Sequence, residues 1–339
     1  MHFRVRTELE QISSDQVVQV VEDGRTGTFQ REFWRLDADS PLSLIRKTLP
    51  GGATRAPVVL VHGFAQNRYS WHTRTRSIEN WLAERGWDVW NLELRGTGLS
   101  RELGTLAAER FDDYVDDVVA VAEHFDGQAF FVGHSMGGGA IYGAATRAPM
   151  KGAVGVAAMY GFGGANEILG AVCRTSVALE PLVSHLGVNV KTRLAGQIMA
   201  RLYGLSDVLG YWFPLSGWWP GSVERELLDE RLVEGFDWTS TQVWREMSHW
   251  CTEGFPYAAA WEHTDLPLLV LLGDEDALMP PEDGRQAFDA SGSTDKTLKV
   301  FDFEHDEVHW GHLDLVLGRL ATRHVWSLVD AWLSERDAQ

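Results

Sequence analysis

Apolar and polar positions along this chain switch repeatedly between a strand period and a helix period. Residues 17–21 and 28–36 are strand-like around the turn signal Glu22-Asp23-Gly24-Arg25, which predicts a leading antiparallel hairpin. After the breaker Pro50-Gly51-Gly52, the run Pro57-Val58-Val59-Leu60-Val61 reads as a buried strand ending at His62-Gly63. Residues 78–85 and 111–124 carry apolar side chains at helical spacing, and 87–92, 129–132 and 153–159 read as strands. A helix of small residues, 136–146, starts almost directly after the 129–132 strand. The alternation then stops at Phe162 and resumes with Leu268-Leu269-Val270-Leu271-Leu272, followed by a strand over 297–303 and a closing helix over 313–333, broken near Gly318.

Strands alternating with helices predict the α/β class, a mostly parallel central sheet with helices on both faces. Residues 1–161 and 264–339 would form the core, and 162–263 an inserted helical cap. Ligands in such sheets bind outside the carboxyl ends of the strands. A segment inserted at such an end is expected to lie over the site.

Composition narrows the choice of partners. Lys plus Arg is 30 against 48 for Asp plus Glu, a formal charge of −18, which disfavours nucleic acid and anionic membrane surfaces. With 45% hydrophobic and 23% charged residues, the chain has the composition of a globular protein. Cys173 and Cys251 have no disulfide-framework or zinc spacing. Neither a signal peptide nor a membrane-length apolar run is read, so a cytoplasmic location is the expectation, with oligomeric state unread. The Gly-rich stretches 137–139 and 161–164 lack the Lys-Ser/Thr of a phosphate loop, so no nucleotide cofactor is expected.

The candidate chemistry centres on Gly133-His134-Ser135-Met136-Gly137, a G-x-S-x-G pattern. The pattern alone is weak, but a strand precedes it and a helix follows, as a nucleophile elbow requires. Serine is a poor nucleophile without a base, and the base needs an orienting acid. The acid is expected in Gly273-Asp274-Glu275-Asp276, directly after a strand. Asp276 is preferred, because the spacing to Met279-Pro280 lets the chain turn before the carboxylate points inward. Three histidines, His305, His309 and His312, compete for the base; His312 is preferred for its place where the loop meets the final helix. His305 and His309 are four apart, but the H-D-E-V-H order is not that of a zinc helix, and no metal is expected. The oxyanion hole would use the backbone N–H of Met136 and of Phe64, in the loop after the first parallel strand.

Together His62-Gly63-Phe64, Arg95-Gly96-Thr97-Gly98-Leu99-Ser100, Gly133–Gly137, Gly273–Pro280 and Gly311-His312-Leu313-Asp314 resemble the α/β-hydrolases, most closely their lipase-like branch related to acid lipases. The resemblance covers the chain from about Pro57 onward except the cap. It implies the α/β-hydrolase fold with Ser135, Asp276 and His312 as triad, and supports His312 over His309. The chain departs from the family pattern at Asn91-Leu92-Glu93, where an Asp is common. Serine at the elbow argues against the polyester synthases, which carry cysteine there.

Seven of the fifteen tryptophans fall between Trp212 and Trp261, and no charged residue stands from Val208 to Val223. His134, Trp212, Phe213, Trp218 and Trp219 are therefore candidate lining for an apolar substrate pocket. The expected function is hydrolysis of hydrophobic carboxylic esters by a cofactor-free serine hydrolase with a small-molecule substrate. An acyltransferase or thioesterase would use the same residues, and a non-catalytic scaffold of the same fold is the alternative from another class.

Overall fold

The computed structural model describes residues 8–183, 189–191 and 217–338. Its strands are β1 (Glu8–Glu22), β2 (Arg25–Asp37), β3 (Leu42–Thr48), β4 (Pro57–Val61), β5 (Asp88–Glu93), β6 (Phe130–His134), β7 (Gly152–Val156), β8 (Asn189–Lys191), β9 (Trp238–Ser240), β10 (Leu268–Gly273) and β11 (Lys296–Phe301). The helices are α1 (Ile78–Glu84), α2 (Gly98–Glu102), α3 (Phe111–Phe125), α4 (Met136–Ala145), α5 (Glu167–Val183), α6 (Arg225–Glu234), α7 (Thr241–Glu253), α8 (Ala258–Trp261), α9 (Pro281–Ala290), α10 (Phe303–Asp306), α11 (Asp314–Leu317) and α12 (Ser327–Asp337). Nine strands form one sheet in the order β1-β2-β3-β5-β4-β6-β7-β10-β11. The first three pair antiparallel, as does β3 with β5, and every pair from β5 to β11 is parallel.

The expected hairpin is present but longer, because β1 begins with the mostly polar stretch Glu8–Ser14, whose Leu9 and Ile12 stand three apart and give no strand alternation. β3 was not expected at all. It lies between β2 and β5 and is buried over most of its length, so it lacks the alternation of a half-exposed strand, and Arg46-Lys47 disguise it further. Lys47 is 1% exposed because the Glu79 carboxylate on α1 lies 3.3 Å from its Nζ. β7 ends at Val156, short of the expected Met159, where Ala157 takes a positive φ of 45° and turns the chain. The closing helix breaks at Gly318, as the glycine suggests, and continues through a wide turn, Thr322–Trp326, into α12.

Buried aromatic contacts bind the helices to the sheet. Trp81 of α1 meets Trp326, while Trp87 and Trp332 both pack on Phe130 of β6. Elsewhere α4 packs on α3, and Tyr142 of α4 meets Trp261 of α8. Residues between β7 and β10 add α5 to α8 and the β8–β9 ribbon, although β7 and β10 are themselves neighbours in the sheet. No helix among the described residues is long and apolar enough to cross a membrane.

Candidate active site

The carboxyl ends of β4, β6 and β10, and the loop that follows β11, carry the chemistry-bearing residues. Ser135 stands between β6 and α4 with φ 56° and ψ −125°, a left-handed conformation that costs a non-glycine residue energy. The surroundings enforce it: Ser135 N–H donates to Val156 O at 3.0 Å, and Ser135 O accepts from Gly138 and Met159 N–H, both at 3.0 Å. The elbow glycines are sterically required. A Cβ on Gly137 would lie 2.4 Å from His62 O, and one on Gly133 would lie 2.6 Å from Gly138 N. Met136 is the first residue of α4, so its N–H has no acceptor within the helix and belongs to the positive end of the helix dipole.

Asp276 and His312, both expected from the sequence, meet at 2.8 Å between Oδ2 and Nδ1. They are 2% and 4% exposed, so the pair is out of water. The other carboxylate oxygen accepts the N–H groups of Leu278 and Met279 at 2.9 and 2.7 Å, which fixes the acid before it meets the imidazole. A carboxylate only accepts, so His312 donates from Nδ1, and in the neutral ring that tautomer leaves the lone pair on Nε2. Among the described residues Ser135 Oγ forms no hydrogen bond; catalytic serine–imidazole contacts commonly tighten only when substrate is bound.

The rejected candidates have other occupations. Asp274 accepts from the His309 ring at 2.6 Å and from Trp310 N–H at 2.8 Å, pinning the loop after β11 to the end of β10. His305 is exposed and bonds to Asp302. Asp274, Glu275 and His309 bring ligand atoms within 4.8 Å of one another, but Asp274 is already committed to that loop.

His134 lies in the core, 1% exposed, and its Nε2 donates to His312 O at 3.2 Å. Its ring is 4.6 Å from the His312 ring, centroid to centroid. Burial holds His134 well below the ordinary imidazole value, so it stays neutral beside the base. His134 is thus buried against His312 through both its ring and its Nε2–H.

Sequence reasoning did not single out His62. Its Nδ1 donates to Gly63 O at 3.0 Å, Nε2 accepts from Leu94 N–H at 3.2 Å, and burial lowers its pKa to about 4. A neutral His62 therefore fixes the Gly63 peptide and with it the direction of Phe64 N–H. Gly63 abuts Ser135: a Cβ there would be 3.1 Å from Ser135 Cβ. Glu93, at the departure from the family pattern, is 0% exposed and accepts from Leu99 N–H at 2.6 Å and Arg68 Nη1 at 3.1 Å.

Of the tryptophan candidates, Trp212 and Phe213 lie outside the described residues. The Trp219 ring is 4.7 Å from the His309 ring, and Trp218 is buried, its backbone close to Gly311. The aromatic neighbour of the Phe64 ring is Trp244, at 6.3 Å, and Trp244 also meets Phe162 at 6.0 Å. Only the fold reveals this trio, because its members come from three separate segments.

Residues 56–318 match a family model described as alpha/beta hydrolase fold. The chain is 38% identical over 81 residues to epoxide hydrolase B of Mycobacterium tuberculosis, a match covering 24% of this chain and 22% of that protein. Among solved structures, a soluble variant of monoglyceride lipase from Saccharomyces cerevisiae superimposes with a TM-score of 0.63 at 15% identity, over 99% of each chain. Monoacylglycerol lipase from Paleococcus ferrophilus gives 0.58 at 17% identity, over 86% of this chain and 98% of that one. With the family model spanning most of its length and the expected sheet in place, the chain belongs to the alpha/beta-hydrolase family.

Proposed function

We propose that this protein hydrolyses hydrophobic carboxylic esters through an acyl-enzyme on Ser135. The observation that carries the reading is the buried His312–Asp276 pair, with Nδ1 to Oδ2 at 2.8 Å, joined through His134 Nε2 and His312 O to the segment that holds Ser135 in an elbow conformation. His312 Nε2 takes the Ser135 proton as Oγ attacks the carbonyl carbon, and Asp276 stabilises the imidazolium. The N–H groups of Phe64 and Met136 hold the developing oxyanion. Imidazolium then protonates the leaving alcohol, and water, deprotonated by His312, releases the acid. No cofactor is required by these steps.

Residues 162–263 act in this reading as a cap over the carboxyl ends of the strands. Phe162 and Trp244 of this segment, with Phe64 from the loop after β4, supply the apolar face toward the substrate; the monoglyceride and monoacylglycerol lipases among the structural neighbours favour a fatty acyl chain there. The identity of the nucleophile favours esters over epoxides. A serine oxygen opening an epoxide would leave an ether that water does not release, whereas an acyl ester on serine is hydrolysable.

The test is hydrolysis of p-nitrophenyl esters of increasing acyl length by the parent and by Ser135→Ala. The expected result is activity in the parent, rising with chain length, and loss of at least about a thousandfold in the variant. Equal rates would overturn the role of Ser135. Adding alcohol acceptors and analysing the products separates hydrolysis from acyl transfer.

A further inference from the structure

Among the buried carboxyls that take no part in the proposed mechanism, one lies in the histidine loop itself. Asp314 is two residues beyond His312, 1% exposed, and opens α11. Its Oδ2 accepts the N–H of Trp219 at 2.8 Å and also that of Gly311. Its Oδ1 is hydrogen-bonded to Ser222 Oγ. Trp219 and Ser222 belong to the stretch before α6, and Gly311 to the loop that carries His312. One carboxyl thus joins the inserted segment to the histidine loop. Leu313 N–H to Gly217 O at 2.7 Å and Arg319 N–H to Ser222 O at 2.9 Å run alongside. The approach is backbone to backbone, since a Cβ on Gly311 would be 2.8 Å from Trp219 N.

Counting hydrogens decides the state of this carboxyl. Ser222 Oγ is 2.6 Å from Trp219 O and also meets Asp314 Oδ1. A carbonyl and a carboxylate both accept, and a serine hydroxyl has a single hydrogen. The network closes when Asp314 supplies the second. Oδ1–H then donates to Ser222 Oγ, Ser222 O–H donates to Trp219 O, and Oδ2 accepts the two backbone N–H groups.

We infer that Asp314 works as a neutral carboxylic acid, a positioning residue that latches residues 217–222 onto the His312 loop. Burial favours the same form, pushing this carboxyl up to about 7, with the Asp276 carboxylate adding to the effect. The charged and titratable groups around it are Asp276, His312, His309 against Trp219, and Arg319, whose Nε donates to Gly221 O. Losing the proton removes the donor to Ser222 and sets a second carboxylate near Asp276, so the loop that holds His312 loosens. The consequence for activity rests on the Ser135–His312–Asp276 reading; the latch itself does not.

The experiment compares Asp314→Asn, Asp314→Ala and the parent. Asparagine can replace the acid group for group: Nδ2 donates to Ser222 Oγ and Oδ1 accepts from Trp219 and Gly311. Asp314→Asn is expected to keep kcat on a p-nitrophenyl ester within about twofold of the parent at pH 6.5, and to stay flat above pH 7 where the parent declines. Asp314→Ala is expected to lose about tenfold or more in kcat with KM little changed. The inference is overturned if asparagine is as damaging as alanine, or if the alkaline decline persists in Asp314→Asn. Should Asp314→Ala fail to fold, thermal midpoints carry the test. Between pH 5 and pH 8 the parent's midpoint should fall relative to that of Asp314→Asn, because a raised carboxyl loses its stabilising effect as pH rises through its folded value. Ser135→Ala measured in parallel keeps the two readings apart, since its full activity would overturn the hydrolase reading while the melting comparison still decides the latch.

Discussion

Asp276 Oδ2 meets His312 Nδ1 at 2.8 Å, while Asp276 Oδ1 is held by the N–H groups of Leu278 and Met279. The second half of this relationship determines what an amide would do. In Asp276→Asn the two backbone donors require the amide oxygen, which leaves the amide nitrogen facing His312. That nitrogen donates, so imidazole must accept on Nδ1 and carry its proton on Nε2, the wrong tautomer for a base. The expected outcome is a fall in kcat of roughly 10³–10⁴-fold with the fold unchanged. Esterase kinetics beside far-ultraviolet circular dichroism check it, and a loss below about tenfold would remove Asp276 from its role.

Gly63 is the second sensitive point. A methyl group there would press on Ser135 Cβ and on Gln66 Oε1, each 3.1 Å away, and on His134 O at 3.3 Å. The displaced peptide is the one whose carbonyl His62 holds, so Phe64 N–H should leave the oxyanion position. Gly63→Ala is expected to cost about 10²–10³ in kcat, the range for one lost oxyanion donor. KM and the thermal midpoint should barely change. A variant with the parent's kcat would show that Phe64 N–H is not part of the hole.

Much of the core was legible because parallel strands buried on both faces appear as short apolar runs, and β4 was read to the residue. The triad candidates were legible through position: each follows a strand in the expected order. The same rule of burial hid β3, on which α1 and α2 pack and whose Lys47 is balanced from α1. His62 enters the sequence pattern only as part of His62-Gly63-Phe64, because nothing in the neighbouring residues assigns its ring a partner. Only folding brings Gly63 O and Leu94 N–H to its two nitrogens. Trp219 was read as pocket lining from composition, which says nothing of direction; its ring meets His309 and its N–H meets Asp314.

Glu93 stands where the sequence departed from the family pattern, and its surroundings explain the longer side chain. The carboxylate is 0% exposed and receives Leu99 N–H, Arg68 N–H and the Arg68 guanidinium. Gly98 makes room for it, since a Cβ there would fall 1.9 Å from Glu93 Oε1. Glu93→Gln places an amide nitrogen among donors and leaves Arg68 without its counter-charge. A destabilisation of about 3 kcal/mol is expected, read from the urea unfolding midpoint. A cost under about 1 kcal/mol would mean that Arg68 is satisfied by water alone.

Acid sensitivity follows from the buried histidine in the loop after β4. His62 is 1% exposed, and burial holds its pKa at about 4 against an ordinary 6.5. Between those values the unfolded chain binds a proton that the folded chain refuses. The stability it contributes is therefore complete above about pH 6.5 and is lost as pH falls toward about 4. Asp117 and Asp314, raised by burial to about 6 and about 7, act in the opposite sense: their contribution is complete below the ordinary carboxyl value and is lost as pH rises through the folded one. His62→Gln removes one titration and leaves the others, so the informative quantity is the pH slope and not the absolute stability of the variant. Between pH 7 and pH 5 the parent should lose about 2 kcal/mol more unfolding free energy than His62→Gln. Urea titrations at the two pH values measure it. Parallel slopes would mean that His62 takes up its proton in the folded protein, and that the Gly63 carbonyl is held by something other than a neutral imidazole.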